Sequence, residues 1–244
     1  MDNNTNYNYD PNVVQLEDAT TASRRFIANV FLWMFLALGI SAFCAYLFAT
    51  TPSLLSMLID VNTGRRTGLG TVVIFSPIIF AILFSTALNK MSFPVMAVLF
   101  VVFSALMGAS LSFILLIFTA GSVASVFITA SALFGIMAIA GYTTHQDLTK
   151  YGSLFMMGVI GLIIASVVNF FFKSEGLFMI INYVGVALFI GITAYQVQSL
   201  KRMSEGIEDD GTIGKKLAIY GAFHLYMTFV NLFLFLLNIF GRRR

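Results

Sequence analysis

Few side chains in this 244-residue sequence could do chemistry in an apolar medium, and the most telling of them share one stretch. His224, Thr228, Asn231 and Asn238 follow one another at helical spacing and form one stripe, with Gly221 a turn earlier. Every other position from Leu225 to Phe240 is apolar except Tyr226. On an otherwise greasy helix such a stripe must face protein or a water-filled cavity, because exposing it to lipid is costly. It serves either as hydrogen bonding between helices or as the wall of a hydrated pathway. His224 is the one side chain of these stretches that titrates near neutrality in water. It acts either as a proton switch or as a neutral hydrogen-bonding group. Thr193, Tyr195, Gln196 and Gln198 close the preceding apolar stretch beside a basic segment, where polar groups suit the membrane interface.

Catalytic signatures are missing. The chain has no HExxH, no GxSxG, no Walker loop and no acidic pair within an apolar stretch. Two histidines, His145 and His224, cannot make a three-histidine metal site, and the single Cys44 excludes an intrachain disulfide. A serine paired with His224 for intramembrane proteolysis lacks a glycine-flanked nucleophile motif. The expectation is therefore no enzyme, no cofactor, no metal and no nucleic-acid partner.

The elements that position these residues must be membrane helices. The chain is 59% hydrophobic and 10% charged, where a soluble domain carries about 25% charged residues. Seven apolar stretches reach the roughly 20 residues needed to cross a bilayer: Phe26–Ala49, Leu69–Leu88, Phe93–Phe118, Val123–Tyr142, Leu154–Phe172, Leu177–Val197 and Leu217–Phe240. All 14 basic and 11 acidic side chains fall outside them. Their continuous hydrophobicity argues against a β-barrel, whose strands alternate. The expected fold is all-α, a polytopic seven-transmembrane-helix bundle with the last helix central. Two faces of small residues, Ser104/Gly108/Ser112 and Gly158/Gly161/Ala165/Asn169, are read chiefly as helix packing. Asn169 is also a candidate for lining a pathway, together with His224, Asn231 and Asn238.

Residues 1–23 are polar and Asn-rich, lack the pattern of a signal peptide, and read as a mobile tail ahead of a membrane domain at residues 24–244. The first helix is expected at Arg24-Arg25, and Gln198–Lys216 reads as the longest internal loop. With the N-terminus in the cytoplasm, the inner side collects Arg24, Arg25, Lys90, Lys150, Lys201, Arg202, Lys215 and Lys216. The opposite side holds Arg65, Arg66, Lys173 and Arg242–Arg244. That last triplet opposes the rule, so either seven spans end outside or the final segment re-enters and returns.

Three blocks make the sequence familiar: GYTTHQDLTKYGSLFMMGVIGLIIASVVNFF (141–171), GVALFIGITAYQVQSLK (185–201) and HLYMTFVNLFLFLL (224–237). With them the chain resembles the Bax inhibitor 1 family, in its bacterial YccA-like branch, over nearly everything after residue 23. The resemblance implies a seven-helix bundle of the inner membrane, in contact with the lipid bilayer, and a leak of cations, chiefly the calcium ion. It also implies a pH-sensitive latch made by one aspartate at the end of the sixth span and one in the seventh. Two close carboxylates share a proton, which raises one pKa toward neutrality. Here the family's TAYD reads Thr193-Ala194-Tyr195-Gln196, and its LYLD reads Leu225-Tyr226-Met227-Thr228. Gln196 and Thr228 neither titrate nor carry charge, so the leak is expected to be altered or lost, and the two side chains are expected within contact range. The other reading, also drawn from the family, is a non-conducting interaction protein that modulates a membrane-bound ATP-dependent protease in membrane-protein quality control.

Overall fold

The computed structural model describes residues 11–60, 65–205 and 211–244. Helix α1 (Pro11–Thr50) is followed by the short α2 (Pro52–Leu58), α3 (Gly68–Lys90), α4 (Phe93–Ile117) and α5 (Ala120–Thr143). A 3₁₀ turn at Leu148–Tyr151 leads to α6 (Gly152–Phe172), α7 (Glu175–Ser204) and α8 (Thr212–Phe240). No strand occurs among the described residues, only two isolated backbone bridges, Ile59 with Arg66 and Phe118 with Arg243.

Among the described residues, six helical stretches are long and apolar enough to cross a membrane: Thr21–Thr50, Phe93–Ile117, Ala120–Thr143, Leu148–Phe172, Glu175–Ser204 and Thr212–Phe240. The expected second span falls on α3, whose described apolar part, Gly68–Phe84, is shorter and contains Pro77.

Helix ends depart from the apolar limits in an instructive way. Helix α1 is already formed at Pro11, the first described residue, so it reaches well ahead of the expected start at Arg24. Residues 1–10 of the expected tail lie outside the described residues. The expected loop Gln198–Lys216 is mostly helix: α7 continues to Ser204 and α8 begins at Thr212, with 206–210 outside the described residues. The Ser23 and Ser204 hydroxyls meet at this end, tying the start of the first span to the end of α7.

Helix α8 is the axis of the bundle. It packs on α1, α3, α4, α5 and α7. Its Ile219, Ala222, Leu225, Tyr226 and Leu232 are fully buried. Lipid tails are as apolar as these side chains, so close packing rather than hydrophobicity must hold helices together here. Aromatic rings supply much of it: Phe223 of α8 stacks on Phe84 at 4.4 Å and meets Phe103 edge-on at 5.1 Å. Such pairs each contribute about 0.5–1.5 kcal/mol.

The small-residue face of α4 packs as expected. A Cβ on Gly108 would stand 2.4 Å from the Ser41 carbonyl oxygen, so only glycine lets α4 approach α1 this closely. On α6 the expectation holds only in part, since Gly158 faces Leu188 of α7 while nothing lies within 4 Å of Gly161.

The last segment does not re-enter. Helix α8 is continuous over 29 residues, about 43 Å. Beyond it, Arg243 bridges Phe118 in the α4–α5 turn, with Thr119 N–H donating to Arg242 O at 3.0 Å and Arg244 N–H to Ile117 O at 2.9 Å. The chain's last arginines therefore lie at the end of the bundle opposite Ser23 and Ser204.

Candidate functional site

The seam between α7 and α8 carries the members of the polar stripe that reach from helix to helix. Thr228, 3% exposed, donates its hydroxyl to Oε1 of Gln196 at 2.8 Å. The two motif positions are thus in direct contact, well inside the range expected of them. Ten residues further along α8, about 15 Å, Asn238 Nδ2 donates to Oδ1 of the buried Asn182 at 3.1 Å. Asn182 in turn donates to Phe178 O of its own helix at 2.7 Å. Between these pairs the seam is closed by apolar groups, with Phe189 and Phe235 rings 5.6 Å apart and Gly185 against the Phe235 ring.

The rest of the stripe behaves differently. Asn231 donates to Met227 O one turn back on its own helix, at 2.8 Å. His224 lies edge-on to Tyr220 at 4.4 Å and to Phe223 at 5.7 Å. Its Nε2 is buried with no hydrogen-bond partner among the described residues. Asn169 stands apart from the pathway candidates: its Oδ1 accepts from Ser174 N–H at 3.0 Å and so shapes the α6–α7 turn. Lys173 adopts a left-handed conformation there, with φ of 50°.

Two polar nodes escape the sequence reading. At the first, the Tyr226 hydroxyl meets Ser41 Oγ at 2.7 Å, and that oxygen lies 2.7 Å from Ser104 O and 2.9 Å from Ala37 O. Tyr226 is fully buried, and a buried phenol needs a partner, so its place as the exception in an apolar run was the available signal.

The second node fastens the α5–α6 connection to the end of α7. Gln198, 4% exposed, accepts from Leu148 N–H and donates to Gln146 O, both at 2.7 Å. Lys201 donates to Tyr142 O at 2.9 Å and sits over the Tyr142 ring. Arg202 pairs with Asp147 at 2.8 Å and donates to Thr149 Oγ1 at 3.1 Å. The Thr149 hydroxyl, then its N–H and the Arg202 guanidinium, hold the Asp147 carboxyl below the usual carboxylate range. Closeness of α5 and α7 depends on Gly141, where a Cβ would stand 2.2 Å from Ala194 O. The GYTTHQDLTKYG stretch is thus a clamp between three helices. Among the described residues no group of three or more His, Cys, Asp or Glu side chains is placed to hold a metal.

Comparison with known proteins agrees with this picture over almost the whole chain. The family described as inhibitor of apoptosis-promoting Bax1 matches residues 23–244. The inner membrane protein YbhL of Escherichia coli is 40% identical over 220 residues, covering 90% of this chain and 92% of that protein. A Borreliella burgdorferi protein is 41% identical over 221 residues, covering 90% of this chain and 93% of its own. A Rickettsia prowazekii protein is 38% identical over 221 residues, covering 91% of each.

Proposed function

The chain belongs to the Bax inhibitor 1 family, and from that premise we propose that it is a multipass inner-membrane protein providing a weak, pH-insensitive cation leak. Helix α3 serves as the second of seven spans, the N-terminus is cytoplasmic, and the path follows the α7–α8 seam. One observation carries the reading: the Thr228 to Gln196 hydrogen bond of 2.8 Å at the two positions where the family pattern has its acidic latch. The inner-membrane assignment leans on YbhL, named for that membrane.

A neutral hydroxyl–amide bond closes the seam without offering a titrating group. Calcium favours oxygen ligands that include carboxylates, and this pair presents neutral oxygens only, so divalent flux is small. The closure is also weak. Hydrogen bonds between membrane helices average about 0.6 kcal/mol with a maximum near 1.7. Losing this one should raise the open fraction about threefold, with roughly eighteenfold as the upper bound.

The test is calcium entry into liposomes that contain this protein alone. Thr228→Val, which keeps the shape and removes the donor, should raise the leak about threefold over the parent. An unchanged leak would remove the latch from the account. Absence of any protein-dependent leak would favour the second reading, a modulator of a membrane-bound ATP-dependent protease. For that role the polar N-terminal sequence, residues 1–23, would suit capture by such a partner.

A further inference from the structure

On the flank of the bundle, between α1, α4 and α5, lies a cavity of about 390 Å³. That falls in the range of roughly 300–1,000 Å³ typical of ligand clefts. Its walls are almost wholly apolar, including Ala42, Ala45, Leu115, Ala124 and Phe127, and its floor is Val230 of α8. The rim residues Tyr46 and Ile128 are 65% and 68% exposed while Val230 is buried, so the cavity opens sideways, toward lipid. From Leu38 to Tyr46 it runs about 12 Å along α1.

One end of this groove is strongly basic. Ala120 lines it, and the adjoining Thr119 holds the chain's last residues through Arg242 O. Ser122 Oγ accepts from Arg242 N–H at 2.9 Å. All these ties use backbone atoms of Arg242, Arg243 and Arg244, so the three guanidiniums remain exposed. None of the three forms an ion pair with a described residue. An apolar slot that opens toward lipid, with three exposed arginines fastened beside one end of it, matches one chemistry: an acyl chain carrying an anionic phosphate.

We propose that this groove is a binding site for an anionic phospholipid, one acyl chain lying between α1, α4 and α5 and the phosphate resting on Arg242–Arg244. Guanidinium groups suit phosphate because their N–H donors bond two of its oxygens at once. A second copy seated two-fold on this face is a poorer occupant, because it would bring three more arginines against these three. A free phosphate would leave the groove empty and forgo the apolar contact. Each basic residue at a membrane surface favours an anionic lipid by about 1 kcal/mol, or about fivefold.

Native mass spectrometry of the full chain, titrated with phosphatidylglycerol or with phosphatidylcholine of the same acyl chains, tests the proposal. The parent should bind phosphatidylglycerol roughly tenfold or more tighter. Arg242→Gln/Arg243→Gln/Arg244→Gln should erase that preference, with the backbone ties to the α4–α5 turn intact. Lys215→Gln/Lys216→Gln, at the opposite end of the bundle, should retain it. Filling the slot with Ala42→Leu/Ala124→Leu should lose both lipids. Inorganic phosphate and glycerophosphoglycerol, which lack acyl chains, should not compete. A phosphatidylglycerol bearing a photoreactive acyl chain should label residues 38–46 or 123–128 of the unsubstituted protein, a readout independent of how the variants fold. Equal binding of the two lipids, a preference that survives loss of the arginines, competition by phosphate, lipid retained by the filled groove, or labelling confined to α6 would each overturn the proposal.

Discussion

Removing the Ser41 hydroxyl should destabilise the protein more than removing the Tyr226 hydroxyl it bonds, and removing both should restore part of the loss. The asymmetry follows from what each change leaves behind. With Tyr226→Phe, Ser41 Oγ still has the Ser104 and Ala37 carbonyls at 2.7 and 2.9 Å to receive its proton. The ring keeps its edge contacts with Phe100 and Phe103 at 6.0 and 5.6 Å. Only one interhelical bond is lost, about 0.6 kcal/mol. With Ser41→Ala, a phenol hydroxyl with no exposure at all is stranded, which costs about 1–3 kcal/mol. In the double variant no hydroxyl is left to strand, so its cost should fall below that of Ser41→Ala alone. Unfolding of the purified protein in mixed micelles with increasing dodecyl sulfate would measure all three changes. Strict additivity, or a larger cost for Tyr226→Phe than for Ser41→Ala, would refute the reasoning.

Other substitutions probe the helix contacts and the clamp. Gly141→Ala must push α5 from α7, since its Cβ would stand 2.2 Å from Ala194 O, and should cost about 1–3 kcal/mol in the same assay. Gly161→Ala, with nothing within 4 Å, should leave stability unchanged or slightly raised. Gln198→Leu strands the Leu148 N–H and the Gln146 carbonyl and should loosen the α5–α6 connection, seen as faster amide exchange at 143–151. Because the Asp147 carboxyl is held below its ordinary value, its contribution is complete above about pH 4–5 and lost as pH falls through the folded-state value. Exchange at 143–151 should therefore show an extra acceleration in acid that Asp147→Asn removes.

Much of this architecture is legible in the sequence because lipid imposes one rule on every span. The polar stripe marks α8 as central, and α8 is the axis of the bundle. The stripe's members nevertheless do different work: Thr228 and Asn238 bond across to α7, Asn231 turns back on its own helix, and His224 sits between rings. Helical spacing shows which residues share a face but not which partner each one meets. The nearness of Gln196 and Thr228 follows from family motifs rather than from spacing, since 32 residues separate them. Ser41 and Tyr226 are 185 residues apart, and no local pattern joins them. Helix ends are illegible for another reason. Hydropathy reports where lipid begins, whereas α1 and α7 run on into the interface, where their backbone bonds are equally satisfied. Asn169 has the right spacing on α6 for a pathway residue, yet α6 is peripheral and buries only Leu162.

The central claim is that the latch no longer titrates, and the pH profile of calcium entry into liposomes containing this protein alone tests it most directly. Between about pH 6 and 8 the parent leak should change by less than about twofold, because neither an amide nor an alcohol changes protonation there. Gln196→Asp/Thr228→Asp should restore a steep profile, since two carboxylates in contact share a proton and one of them titrates toward neutrality. A steep parent profile that persists in His224→Ala would contradict the account and place the gate away from Gln196 and Thr228.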